Sequence, residues 1–93
     1  SSGKPQLVEF FRDTWPACQK QKPIVDELQE EYRGKIDIIR YDLTSPEGYC
    51  EYQRYGITHI PGMLYIDKTG KATEGTGAVK EKPELKQCLI YIK

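Results

Sequence analysis

A short, nearly continuous apolar run, Leu7-Val8-Glu9-Phe10-Phe11, precedes a helical pattern, and a second run, Ile36 to Leu43, follows it. That arrangement constrains the fold more than any other feature of the chain. Apolar runs this short, bounded by turn residues, read as buried strands. Between them Ile24, Val25, Leu28 and Tyr32 fall on one face at helical spacing, with Gln and Glu opposite. Ala17 to Tyr32 therefore reads as an amphipathic helix. Pro23 lies inside it and is expected to kink it, because proline removes a donor and crowds the preceding turn. Gly34 is the expected stop. Helices between the first three strands favour parallel pairing for at least part of the sheet.

Ser45-Pro46-Glu47 has the form of a helix start: an N-cap serine, proline at the first helical position and an acid in the first turn. Tyr49, Tyr52 and Tyr55 make an aromatic stripe on that helix, read as packing, and Gly56 ends it. Met63 to Asp67 is a third strand. Lys68-Thr69-Gly70-Lys71 is a turn, and Lys71 to Thr76 returns as a fourth, antiparallel strand. Pro83 opens a last helix with an apolar face of Leu85, Cys88, Leu89 and Ile92. The order is β-α-β-α-β-β-α.

The chain's 93 residues suit one domain. Ser1-Ser2-Gly3 resembles a cloning remnant and is set aside, leaving residues 4–93 as the domain. The 14 basic and 14 acidic side chains balance to a net charge of +0, which argues against a nucleic-acid binder. No apolar stretch approaches the roughly 18–20 residues of a membrane span, and no export signal opens the sequence. The three cysteines, Cys18, Cys50 and Cys88, are odd in number and widely spaced, unlike a secreted disulfide framework. With one histidine, His59, and no CxxC pair, no metal or cofactor site is read. Unpaired thiols point to a reducing, cytoplasmic setting, with an exported or membrane-tethered parent left open.

Residues 7 to 92 resemble the thioredoxin family, and four segments carry the resemblance. Leu7 to Phe11 resembles the strand that leads into the family's active site. Pro16-Ala17-Cys18 followed by Pro23 resembles the second half of a Cys-x-x-Cys motif with its helix proline. Tyr55-Gly56-Ile57-Thr58-His59-Ile60-Pro61 resembles the segment ending in a cis-proline. Gly77-Ala78 with Leu85 and Leu89 resembles the approach to the last helix. The resemblance implies a thioredoxin fold, a central four-stranded mixed sheet flanked by helices, in a version lacking the family's usual first strand and helix.

It also implies thiol–disulfide exchange with protein or peptide partners and a thiol reductant. Here the sequence departs from the family. With Cys18 on the second cysteine, Trp15 stands where the first belongs. Exchange needs a thiolate to attack a disulfide and a second thiol to resolve the mixed disulfide. Cys50 and Cys88 are expected on other helices, so dithiol turnover is expected to be weak or lost. Cys18 is either reactive, favoured by the first turn of its helix, or inert and packed. By resemblance Glu9 carries protons to and from Cys18, and the competing reading is a structural ion pair with Arg40. The resemblance also implies that Ile60 and Pro61 shape a groove for an extended peptide. His59 is read as a surface residue.

Two other functions stay open. One is a redox-silent binding module using the groove around Trp15 and Pro61. The other is a single-cysteine peroxide or mixed-disulfide reductase. Peroxiredoxins carry a threonine three residues before the reactive cysteine, whereas Thr14 lies four before Cys18. Monothiol glutaredoxins keep the first cysteine of the pair, the one missing here. Trp15 is read either as a native replacement or as a change made in a chain that had Cys-Pro-Ala-Cys.

Overall fold

The computed structural model describes residues 3–75 and 79–92. Chain order is β1 (Gln6–Phe11), α1 (Pro16–Glu31), β2 (Asp37–Asp42), α2 (Pro46–Tyr55), β3 (Gly62–Ile66), β4 (Ala72–Glu74) and α3 (Lys82–Ile92). The four strands form one mixed sheet in the order β2-β1-β3-β4. β1 and β2 pair in parallel, Glu9 opposite Arg40, as the α1 crossover requires. The parallel pairing expected for part of the sheet is that of β1 with β2; β3 runs antiparallel to β1, with Gly62 opposite Phe10. β3 therefore begins at the end of the sheet where β1 finishes, and the 56–61 loop carries the chain back there after α2. β4 closes the antiparallel edge as expected, over Ala72–Glu74. Thr76, Gly77 and Ala78 lie outside the described residues, as do Ser1, Ser2 and Lys93.

Alternation along β1 sets the two faces of the sheet. Leu7 joins Val25, Leu28, Tyr32, Ile36, Met63, Tyr65, Leu85, Leu89 and Ile92 in a core beneath α1 and α3. Val8 and Phe10 join Leu43, Ile57, Leu64 and Ile66 on the opposite face, with Tyr52 and Tyr55 of α2 packed on them. The Phe10 ring lies 6.0 Å from Tyr52 and 6.2 Å from Tyr55, both edge-on, so these two tyrosines are packing, whereas Tyr49 of the same stripe is exposed. Glu9 shares the face of Leu7, which turns a carboxylate inward toward α1.

The helix ends follow their chemistry. Ser45 Oγ accepts the Gly48 N–H at 3.0 Å and caps α2, with Pro46 in the first turn. Gly56 ends α2 at φ 68°, a left-handed value that a side chain would strain. α1 buries Cys18, Gln21, Val25 and Leu28, at the three- and four-residue spacing of one helix face. Pro23 is exposed inside α1, which continues as one helix from Pro16 to Glu31.

Candidate active site

The chain leaves β1 at Phe11, makes a tight turn in which the Trp15 N–H donates to the Arg12 carbonyl at 3.1 Å, and enters α1. Trp15 is the N-cap residue with extended backbone, and no side-chain hydrogen bond caps the helix. A tryptophan has no acceptor to offer there. Its ring is 44% exposed, and the Arg12 guanidinium lies 5.8 Å from the ring centroid. Pro16 is exposed and Ala17 half-buried.

Cys18 sits in the first turn and is 3% exposed. The Arg12 backbone N–H donates to its Sγ at 3.5 Å. Burial raises the thiol pKa, and the charges of Glu9 and Asp13 push the same way; the Arg12 donor opposes them. The position within the helix favours a thiolate, and the surroundings disfavour it more. All three cysteines are free thiols; Cys50 is exposed on α2 and Cys88 half-buried on α3, so neither shares the helix of Cys18.

Glu9 is 1% exposed. Arg40 Nε donates to its Oε1 at 2.9 Å, so the ion-pair reading of Glu9 is present in the structure. Burial raises the Glu9 pKa against the opposing attraction of Arg40. The same guanidinium donates through Nη1 to Asp26 Oδ1 at 2.5 Å, and Lys22 Nζ donates to Asp26 Oδ2 at 3.1 Å. Arg40 and Lys22 hold Asp26 below the usual carboxylate range. The acids Asp26, Glu27, Glu30 and Glu31 of α1, which from the sequence alone read as a solvated helix face, are thus not all solvated, because Asp26 pairs with Arg40 of β2. The sequence named Arg40 but not Asp26 or Lys22; the available signal was that both sit on the helix packed against the strand of Glu9.

Cys18, Glu9, Phe11, Asp13, Lys22 and Arg40 line one cleft of about 280 Å3. This cleft unites the two proposed catalytic groups. Trp15, Pro16, Ile60 and Pro61 do not line it. They belong to the end of the sheet where β1 finishes and β3 begins, and the Ile60–Pro61 peptide bond there is cis. Pro61 is buried and Ile60 half-buried, and exposed His59 accompanies Thr58, whose Oγ1 lies 2.9 Å from Nδ1.

One supporting residue escaped sequence reasoning. Gln21, fully buried one turn below Cys18, accepts the Lys80 N–H at 2.7 Å and donates to the Lys80 carbonyl at 2.9 Å. Its side chain behaves like a strand edge, tying α1 to the segment before α3. A polar residue on the apolar stripe of α1 was the signal.

A family profile described as Thioredoxin matches residues 1–90. The chain is 34% identical over 71 residues to a thiol:disulfide interchange protein TxlA homolog from Synechocystis sp., covering 76% of this chain and 39% of that protein. It is 27% identical over 70 residues to the chloroplastic thioredoxin-like protein HCF164 of Arabidopsis thaliana, covering 75% of this chain and 27% of that protein. The chain therefore spans well under half the length of these relatives. Thioredoxin 1 of Nostoc sp. matches at 32% over 88 residues, covering 95% of this chain and 79% of that protein. A solved structure described as a malarial protein superposes with a TM-score of 0.81 at 17% identity, covering 96% of this chain and 97% of its own, a likeness of fold alone.

Proposed function

The chain belongs to the thioredoxin family, and from that premise we propose that it performs thiol–disulfide exchange through one thiol, Cys18. The observation that carries this is the α1 N-terminus: Cys18 is a free thiol in the first turn, and Trp15 occupies the N-cap. The Cys18 thiolate attacks one sulfur of a partner disulfide, forming Cys18–S–S–R and expelling the other half as a thiolate. An external thiolate R′–S⁻ then attacks the partner's sulfur in the mixed disulfide, returning the Cys18 thiolate and forming R–S–S–R′. A second external thiolate frees R–S⁻ from that disulfide, so two external thiols supply the two electrons and leave as R′–S–S–R′, and no internal disulfide forms.

Glu9 is the group that takes the Cys18 proton and gives it back to the leaving thiolate, from a shared cleft and with a raised pKa. A raised Cys18 pKa keeps the thiolate fraction low at neutral pH and makes exchange slow. Ile60 and Pro61 offer backbone to an extended partner peptide. Partners are protein or peptide thiols and disulfides, with a small thiol as reductant. Among the described residues no helix is long and apolar enough to cross a membrane.

The test is a disulfide-reduction assay with a small-thiol reductant. The wild-type chain is expected near background, with a Cys18-linked adduct detectable by mass. Turnover at ordinary thioredoxin rates, abolished by Cys18→Ser, would overturn the single-thiol account. The 44% exposure of Trp15 beside a 3% exposed thiol favours a second reading, a peptide-binding module that makes no use of the thiol. Peptide binding that persists unchanged in Cys18→Ser, without any adduct on Cys18, would support it instead.

A further inference from the structure

The ion pairs around Glu9 form a chain that runs from the sheet interior to the surface of α1. Glu9 on β1 accepts from Arg40 Nε. Arg40 on β2 spends its Nη1 on Asp26, and Asp26 accepts from Lys22, both on α1. Exposure rises along the series, from 1% at Glu9 to 19% at Arg40, 45% at Asp26 and 61% at Lys22. Two carboxylates thus compete for one guanidinium, the inner one buried and the outer one reachable from solvent. Gln29 Oε1, also on α1, lies 3.5 Å from the same Nη1.

We propose that Asp26 and Lys22 are positioning residues that regulate the site: by drawing on Arg40 from the helix surface, Asp26 weakens its hold on Glu9, and Lys22 offsets Asp26. The pair acts on Glu9 through Arg40 and through its own charges, Lys22 from the lining of the shared cleft. The charged and titratable groups facing Glu9 or its partner are Arg40 from β2, Asp26, Lys22 and Cys18 from α1, and Asp13 from the turn. Their signs fix the direction of each effect. Asp26 is a negative charge near Glu9 and favours its neutral form; Lys22 favours its charged form. A charged Glu9 in turn disfavours the Cys18 thiolate. The outer pair therefore sets the pH at which Glu9 holds its proton beside the thiol. This inference rests on the role proposed for Glu9.

The experiment follows the Glu9 side-chain carboxyl carbon by NMR across pH in the wild type, Asp26→Asn and Lys22→Met, with the alkylation rate of Cys18 recorded on the same samples. Asp26→Asn is expected to move the Glu9 midpoint to lower pH, and Lys22→Met to higher pH. Cys18 alkylation at a fixed pH between the midpoints should be slower in Asp26→Asn and faster in Lys22→Met. Both substitutions lie on the exposed part of α1, and unchanged helicity by circular dichroism excludes a folding defect. Midpoints that stay put in both variants, or that shift the same way in both, overturn the proposal. The readouts also separate the two claims. Shifted Glu9 midpoints with an unchanged Cys18 rate uphold the coupling and defeat the role of Glu9 at the thiol.

Discussion

Replacing Arg40 with methionine removes the cation from a carboxylate that is 1% exposed while keeping much of the side-chain stem. Glu9 must then remain charged without its partner or take up a proton. Removing one partner of a buried pair costs about 3–5 kcal/mol. Arg40 is itself 19% exposed, so solvent compensates part of the loss and the lower end applies, about 3 kcal/mol. Where Glu9 is already neutral, only a lost hydrogen bond remains, about 1 kcal/mol. The pH dependence has a definite sign. The Glu9 pKa is raised in the fold, so the folded state holds an extra proton between the unfolded and folded values. Stability from this group is largest below the unfolded value, about 4.3, and falls as pH rises through the folded value. Arg40→Met raises the folded value further and extends that fall to higher pH. Urea titrations should show a loss of about 3 kcal/mol at about pH 8 and about 1 kcal/mol at about pH 4. A small domain has only about 5–15 kcal/mol to lose, so the difference is easily measured. Adding Glu9→Gln to Arg40→Met should recover most of the loss at high pH and little at low pH. Equal losses at both pH values, with no recovery in the double variant, would refute the account of Glu9 as a buried, partly compensated acid.

Three further outcomes are expected. Trp15→Cys places two thiols at the start of α1 in a Cys-x-x-Cys spacing and should raise disulfide-reduction turnover at least about tenfold, a gain lost on adding Cys18→Ser; unchanged turnover would show that the missing thiol is not what limits the site. Gln21→Ala removes both hydrogen bonds to Lys80 and leaves a void, costing about 2–4 kcal/mol by chemical denaturation; a loss below about 0.5 kcal/mol would mean that the tether carries little. Gly48→Ala sets a methyl 2.1 Å from the Asp42 carbonyl oxygen, so α2 must move off β2; the melting temperature should fall by about 10 °C, and an unchanged value would contradict that close approach.

Much of this arrangement was legible in the residues. The β1 run and the α1 stripe carried their period openly, and Ser45, Pro46 and Gly56 marked both ends of α2 with side-chain chemistry that needs no tertiary context. The direction of β3 was not legible. A helix between two strands suggests a parallel crossover, and only the register of Gly62 against Phe10 shows that the 56–61 loop reverses the approach. At the site, Cys18 and Glu9 were expected from the family resemblance and share one cleft, and Arg40 was expected as a partner for Glu9 and pairs with it. Asp26 was hidden because an acid on a helix reads as solvated until the facing strand is known to bear an arginine. Gln21 was hidden for a related reason. Its partner is the backbone of Lys80, far along the chain, and a backbone group leaves no trace in sequence.

The central claim is that Cys18 exchanges alone. The most direct test exposes the folded wild-type chain to a small disulfide, such as glutathione disulfide, and maps every cysteine by peptide mass spectrometry before and after addition of excess small thiol. Cys50, exposed on α2, reports ordinary thiol reactivity in the same sample. The account predicts a slow mixed disulfide on Cys18 that persists until external thiol removes it, with no disulfide joining Cys18 to Cys50 or Cys88. An internal disulfide that releases the adduct unaided would contradict it.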